Sequence, residues 1–192
     1  MKKVFRSGEF EKFRKLTLND SRQAVCESVN TFGERKTTIF ISHNHSDLKD
    51  LRDLIGFLEE KFNVLCYIDS RDPSLPKITS GETAAKIKER IRQCDKFILL
   101  ATNRAINSKW CNWELGYGDA QKYKKHIALF SFETEDEDFN GYEYMEIYPH
   151  IVRYYGDEKF LDGTYINPGY YVCTISENRT NVITPLEDWL SM

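Results

Sequence analysis

The stretch TTIFISHNHSDLKDLRDLIGFLEEKFNVLCYID, residues 37–69, decides the fold. Thr37 to Ser42 is a short β-branched, apolar run that ends in a polar loop, the pattern of a buried strand. Leu48, Leu51, Ile55, Leu58 and Phe62 then step by three and four, which predicts an amphipathic helix opened by Ser46 or Asp47. Val64 to Ile68 (VLCYI) is a second apolar run. Strand, helix and strand in this order predict a parallel pair joined by a crossover.

The same alternation continues downstream. A long loop, Asp69 to Gly81, contains Pro73 and Pro76. Ala84, Ile87, Ile91 and Cys94 mark a second helix, and Lys96 to Thr102 (KFILLAT) a third strand. Ser108 opens a third helix, and His126 to Phe132 (HIALFSF) is a fourth strand. Strands this continuously apolar belong to a parallel sheet covered on both faces. Beyond Phe132 the pattern weakens. Glu133 to Asp138 reads as a solvated acidic loop, residues 142–155 are tyrosine-rich, and Tyr170 to Ile175 (YYVCTI) is a candidate last strand. Thr184 and Pro185 open a terminal amphipathic helix carrying Leu186, Trp189 and Leu190. Upstream, residues 1–35 read as a helical extension: Val25, Val29 and Phe32 have helical spacing, Asp20 or Ser21 can cap it, and Gly33 can end it. Phe10 and Phe13 suggest a shorter helix before that.

Composition narrows the function classes. The 192 residues are 41% hydrophobic and 30% charged, a globular balance with a sizeable core. With 27 Lys and Arg against 30 Asp and Glu, the net charge is −3, which disfavours nonspecific nucleic-acid binding and basic membrane-surface modules. The five cysteines form no CxxC pair, so reduced thiols in a cytoplasmic protein are expected. The start, MKKVFRSGEFEKF, lacks the apolar run of a signal peptide, and no stretch approaches a membrane span.

Ligands in open α/β sheets bind outside the carboxyl ends of the strands. There the sequence places Ser42, His43, Asn44 and His45, then Asp69 and Arg71, then Thr102 and Asn103. GxGxxG after a strand, GxxxxGK[ST] and GxSxG are all missing, so dehydrogenase, P-loop and Ser–His–Asp hydrolase readings have no support. His43 and His45 lack further ligands at metal spacing, which favours polar loop residues over a metal site. On the third helix Trp110, Glu114 and Tyr117 share one face, and Cys111, Leu115 and Gly118 share another that reads as the packed one. By spacing alone, an ordinary surface glutamate beside a half-buried tryptophan is the favoured reading of Glu114.

The landmarks taken together resemble a TIR (Toll/interleukin-1 receptor) domain. FISHNHSD resembles the end of that family's first strand, and VLCYID the second strand with its terminal aspartate. The 69–81 loop looks like the family's BB loop, closed by Gly81. SKWCNWEL, residues 108–115, is similar to the third helix of bacterial and plant-type members. The resemblance covers residues 37 to about 132 and implies a flavodoxin-like, doubly wound, five-stranded parallel sheet in the order 2-1-3-4-5. It implies a TIR domain over residues 36–192, after the 1–35 helical extension.

Enzymatic members cleave the nicotinamide–ribose bond of NAD+, either as NAD+ glycohydrolases or as ADP-ribosyl cyclases. The resemblance therefore implies that Glu114 is catalytic and that NAD+ is a substrate, with no cofactor and no metal. It implies that Trp110 walls the pocket, that Ser42, His43 and Asn44 line its floor, and that Asp69 and Arg71 flank it. Asp69 as a loop cap, and Ser42 as a buried polar group of the sheet, are the plainer readings of those two residues. The family also implies self-association through the 69–81 loop, whose Leu75 and Ile78 have no periodicity to bury them. A TIR unit nearly alone in its chain fits anti-phage defence of the Thoeris kind, in which a separate effector protein senses the nucleotide product. The rival reading is a non-catalytic interaction module, an adaptor or a host-signalling mimic, which has no need of Glu114.

Overall fold

The structure is a computed structural model that describes residues 1, 3–15, 35–69, 81–123, 125–134, 138–141, 143–175 and 180–192. Its strands are Val4–Arg6 (β1), Thr38–Ser42 (β2), Leu65–Tyr67 (β3), Lys96–Ala101 (β4), Ile127–Glu133 (β5), His150–Tyr154 (β6), Gly169–Ile175 (β7) and Asn181–Pro185 (β8). Its helices are Leu48–Phe62 (α1), Gly81–Gln93 (α2), Asn103–Asn107 (α3), Lys109–Lys122 (α4) and Leu186–Ser191 (α5). The sheet runs β3-β2-β4-β5-β6-β7-β8, with β1 paired to β5.

Strands β2 to β6 are parallel and stand in the order 2-1-3-4-5, counted from β2. That is the expected doubly wound core. The described sheet has eight strands rather than five, because three more extend it. The fifth parallel strand is His150–Tyr154, within the tyrosine-rich stretch. Tyr170 to Ile175 is a strand, as expected, but it lies antiparallel beside β6. Strand β8 then pairs antiparallel with β7.

The opening of the chain departs from a helical extension. Val4–Arg6 is a strand parallel to the end of β5, and Glu11–Phe13 makes one 3₁₀ turn where a short helix was expected. Phe5 and Phe10 are fully buried. Each such ring contributes roughly 1.5–3 kcal/mol of burial, which binds this arm into the main core. The helix expected through Val25, Val29 and Phe32 lies outside the described residues.

Strand alternation divides the core into two faces. Ile39 and Ile41 point toward α1 and α5, where they join Leu51, Leu54 and Trp189. Phe40 points to the other face, with Ile87 of α2 and Leu115 of α4. Ser42 lies two residues beyond Phe40 and shares its side, which aims its hydroxyl at α4. Helix α1 ends at Asn63 in the left-handed conformation, φ 52°, a turn that asparagine tolerates well.

Candidate active site

Two strand ends and one helix build the site. Strand β2 delivers Ser42 and the following His43, and the chain after β3 delivers Asp69. Helix α4 carries Trp110, Cys111 and Glu114, and its start is fixed by the Ser108 hydroxyl, which accepts from the Cys111 amide at 3.3 Å. A side-chain oxygen at this position satisfies one of the amides that a helix start leaves unpaired.

Glu114 is 2% exposed, so the surface-glutamate reading gives way. The reason lies in the strand opposite. Ser42 donates its hydroxyl proton to Glu114 Oε2 at 2.5 Å, which draws the carboxyl in under the sheet edge. Glu114 Oε1 has no hydrogen-bond partner among the described residues. A buried carboxyl oxygen without a partner costs folding free energy, of order 1–3 kcal/mol. Burial raises the Glu114 carboxyl to about 8, and the negative charge of Asp69 pushes the same way. The Ser42 hydroxyl and the Trp110 side chain act against that rise.

His43 is buried beside the same pair. Its Nδ1 lies 3.3 Å from the Ile41 carbonyl and 3.9 Å from Asp69 Oδ1. Burial lowers the His43 pKa, and Asp69 opposes that shift. The imidazole packs parallel to His45, ring centroids 5.8 Å apart. Cys111 Sγ donates to the His43 carbonyl at 3.3 Å, and burial pushes that thiol up to about 11. The thiol therefore stays protonated and serves as packing. Among the described residues no group of three or more His, Cys, Asp or Glu is arranged to hold a metal.

Trp110 is half-buried and its ring lies on Trp113, centroids 4.9 Å apart. Trp113 in turn stacks on Tyr117 at 6.2 Å, and Lys88 of α2 sits over both of those rings. The carboxyl thus has an aromatic ladder running away from it along α4. Asn44 is engaged at both polar ends: Oδ1 accepts from the Ser46 amide at 2.9 Å, and Nδ2 donates to the Arg104 carbonyl at 3.3 Å. It orders the turn that follows His43. Arg71 lies outside the described residues.

Two residues named in the sequence reading turn out to have positioning roles it did not assign. Asp47 is buried and accepts from the Thr102 hydroxyl and from Arg104 Nη1 at 3.2 Å, tying the start of α1 to the end of β4. Asn103 donates to the Asp138 carbonyl at 2.7 Å and accepts from the Asn140 amide at 3.1 Å, holding the segment after β5. Asp47 reads in sequence as a helix opener. The signal that could have corrected this is Thr102, a hydroxyl at the carboxyl end of the neighbouring strand.

The family profile of the TIR domain matches residues 39–153, more than half of the chain. The chain belongs to the TIR domain family. Over 117 residues this TIR domain is 31% identical to a Bacillus cereus (strain MSX-D12) protein named "Probable 3' cyclic ADP-D-ribose synthase ThsB'", covering 60% of each chain. Over 113 residues, 58% of the chain, it is 26% identical to a Cytobacillus dafuensis protein named "Putative cyclic ADP-D-ribose synthase TIR2". The matched region spans 60% of the first relative's length and 29% of the second's. No helix among the described residues is long and apolar enough to cross a membrane.

Proposed function

We propose that this TIR domain is an NAD+-cleaving enzyme, an NAD+ glycohydrolase or ADP-ribosyl cyclase, with Glu114 as its catalytic carboxylate. The observation that carries this reading is the Glu114 carboxyl: buried, held at one oxygen by Ser42, open at the other, and beside the charge of Asp69. Such a pair of acids favours a cation. The nicotinamide of NAD+ is a cation before the reaction, and the ribosyl ring becomes one during it.

The bond that breaks joins ribose C1′ to the nicotinamide nitrogen. Its electron pair leaves with nicotinamide, which departs neutral, so no acid is required. The cationic substrate favours the ionised form of Glu114, which stabilises the oxocarbenium-like transition state. Glu114 Oε1 is the free acceptor for a ribose hydroxyl, and Ser42 fixes the other oxygen. C1′ is then taken either by water, which loses a proton and leaves ADP-ribose, or by a nucleophilic atom of the same molecule, which closes a ring. The relatives' names support the second outcome.

The wider setting belongs to the same proposal. The product is a nucleotide signal read by a separate effector protein in bacterial immunity against phage, and the enzyme works in the cytoplasm. Self-association through the 69–81 loop regulates it. Residues 70–80 lie outside the described structure, so the support for that step is the resemblance and the apolar Leu75 and Ile78. Turnover per molecule should then rise with protein concentration, and Leu75→Asp with Ile78→Asp should remove the rise. Specific activity that stays flat from nanomolar to tens of micromolar would sink the assembly step.

The activity is tested by incubating concentrated protein with NAD+ and resolving the products by chromatography and mass. Glu114→Gln is nearly isosteric, and it should fold and lose about 10²-fold or more of the cleavage rate. A Gln variant that keeps most of the rate removes Glu114 from the mechanism. Absence of turnover in the wild-type protein at high concentration returns the chain to the interaction-module reading.

A further inference from the structure

A cavity lies away from Glu114, between the N-terminal arm, the end of α1 and the β6–β7 pair. Its volume is about 290 Å³. Phe10 and Phe57 are buried at its base, and Phe13, Phe62 and Tyr170 are partly buried around it. The base is closely packed: Phe10 and Phe57 centroids are 4.5 Å apart, and Phe57 and Tyr170 centroids are 4.8 Å apart.

Cations converge on this aromatic surface. Lys12, Lys61 and Arg153 line the cavity, against the single acid Glu9. Neither lysine has a carboxylate partner among the described residues. Both amines stand over the Phe13 ring instead, 4.9 Å and 5.8 Å from its centroid. Arg153 lies over Tyr170 at 5.4 Å and reaches Glu9 at a loose 3.8 Å.

We propose that this cavity binds a nucleoside monophosphate, its base against the partly buried Phe62 and Tyr170 rings and its phosphate among Lys12, Lys61 and Arg153. Stacking on aromatic rings accepts any base, since every base has a flat π face. Lysine and arginine suit a phosphate dianion better than a single carboxylate. The volume sits at the lower limit of ligand pockets, about 300 Å³, which suits one ring system with one phosphate. The site uses neither Glu114 nor the loops around it, and it stands whether or not the chain cleaves NAD+.

The test is calorimetric titration of the full chain with AMP, UMP, adenosine and inorganic phosphate. AMP and UMP should bind at one site, with adenosine and phosphate each at least about tenfold weaker. Lys12→Glu with Lys61→Glu changes two exposed side chains, so the melting temperature should hold while AMP affinity falls by about tenfold or more. Phe62→Ala should weaken AMP and UMP together, and Glu114→Gln should bind AMP as the wild type does. The proposal is overturned if millimolar AMP does not bind, or if the lysine double variant binds it unchanged. It is equally overturned if phosphate alone binds as tightly as AMP, since surface charge then suffices.

Discussion

Because the Glu114 carboxyl stands at about 8 in the fold against 4.5 as an ordinary glutamate, the folded chain holds a proton that the unfolded chain has already released across that window. Stability therefore falls as pH rises through it, and is fully reduced only above about 8. In the proposed reaction the chemistry runs the other way, since there the ionised carboxylate is the active form. kcat/KM for NAD+ should climb with pH and level off above about 8, while kcat, measured with the cationic substrate bound, should level off lower. Glu114→Gln removes the buried charge. Its melting temperature should match the wild type near pH 5 and exceed it by about 5–10 °C at pH 8.5. Equal melting temperatures at both pH values would mean that the carboxyl titrates normally and that Oε1 is satisfied. Sequence made Glu114 and Ser42 candidates, but not their contact, because a hydrogen bond between residues 72 apart depends on how α4 crosses the end of β2. Spacing placed Glu114 on a half-exposed face. The Ser42 hydroxyl decided otherwise, since a polar group at a sheet edge must find a partner.

At the level of elements, four of the five parallel strands were legible because each is an apolar run; the fifth, His150–Tyr154, was hidden in the tyrosine-rich stretch. Of the three added strands only β7 was expected, and β1 and β8 were not. Val4–Arg6 offers only three residues, and Asn181–Pro185 holds the Thr-Pro pair that reads as a helix opening. Pro185 does both jobs: it ends β8 and is the residue from which α5 starts, its backbone still extended at ψ 137°. The connection that positions the site is Asp47, which joins the β2–α1 turn to the end of β4 through Thr102 and Arg104. Asp47→Ala leaves the Thr102 hydroxyl buried without this partner and removes the Arg104 ion pair to Asp47, at a cost of about 1–3 kcal/mol. The melting temperature should drop by roughly 3–10 °C. NAD+ cleavage should fall with it, because the same turn carries His43 toward Asp69. Asp47→Asn keeps an acceptor for Thr102 and should recover part of both losses. A variant as stable as wild type would show that the clamp carries no load.

Over the whole molecule, the first fifteen residues are a structural part of the domain, although their composition reads as an appendage. Three anchors hold them. Phe5 and Phe10 enter the core, Arg14 grips the buried Asp53 at 2.7 Å and 3.0 Å, and Lys15 pairs with Glu59. Asp53 and Glu59 both belong to α1, so the arm lies along that helix. Gly56, between them, makes the close approach possible: a Cβ added there would stand 1.7 Å from the Phe13 carbonyl oxygen and 2.7 Å from its carbon. In an isolated helix, replacing glycine by alanine stabilises by about 1 kcal/mol. Here the new methyl group meets backbone, which cannot rotate aside, so the arm must lift and surrender part of its burial. Gly56→Ala should therefore lower the melting temperature by about 5 °C or more, the size expected when the steric cost exceeds the helical gain by a few kcal/mol. Lifting the arm should also free the backbone around Lys12, Arg14 and Lys15 from its seat, so trypsin should cut there several times faster than in the wild type under native conditions. If Gly56→Ala instead raised the melting temperature and left cleavage unchanged, helix propensity alone would be acting, and the arm would not be seated on α1.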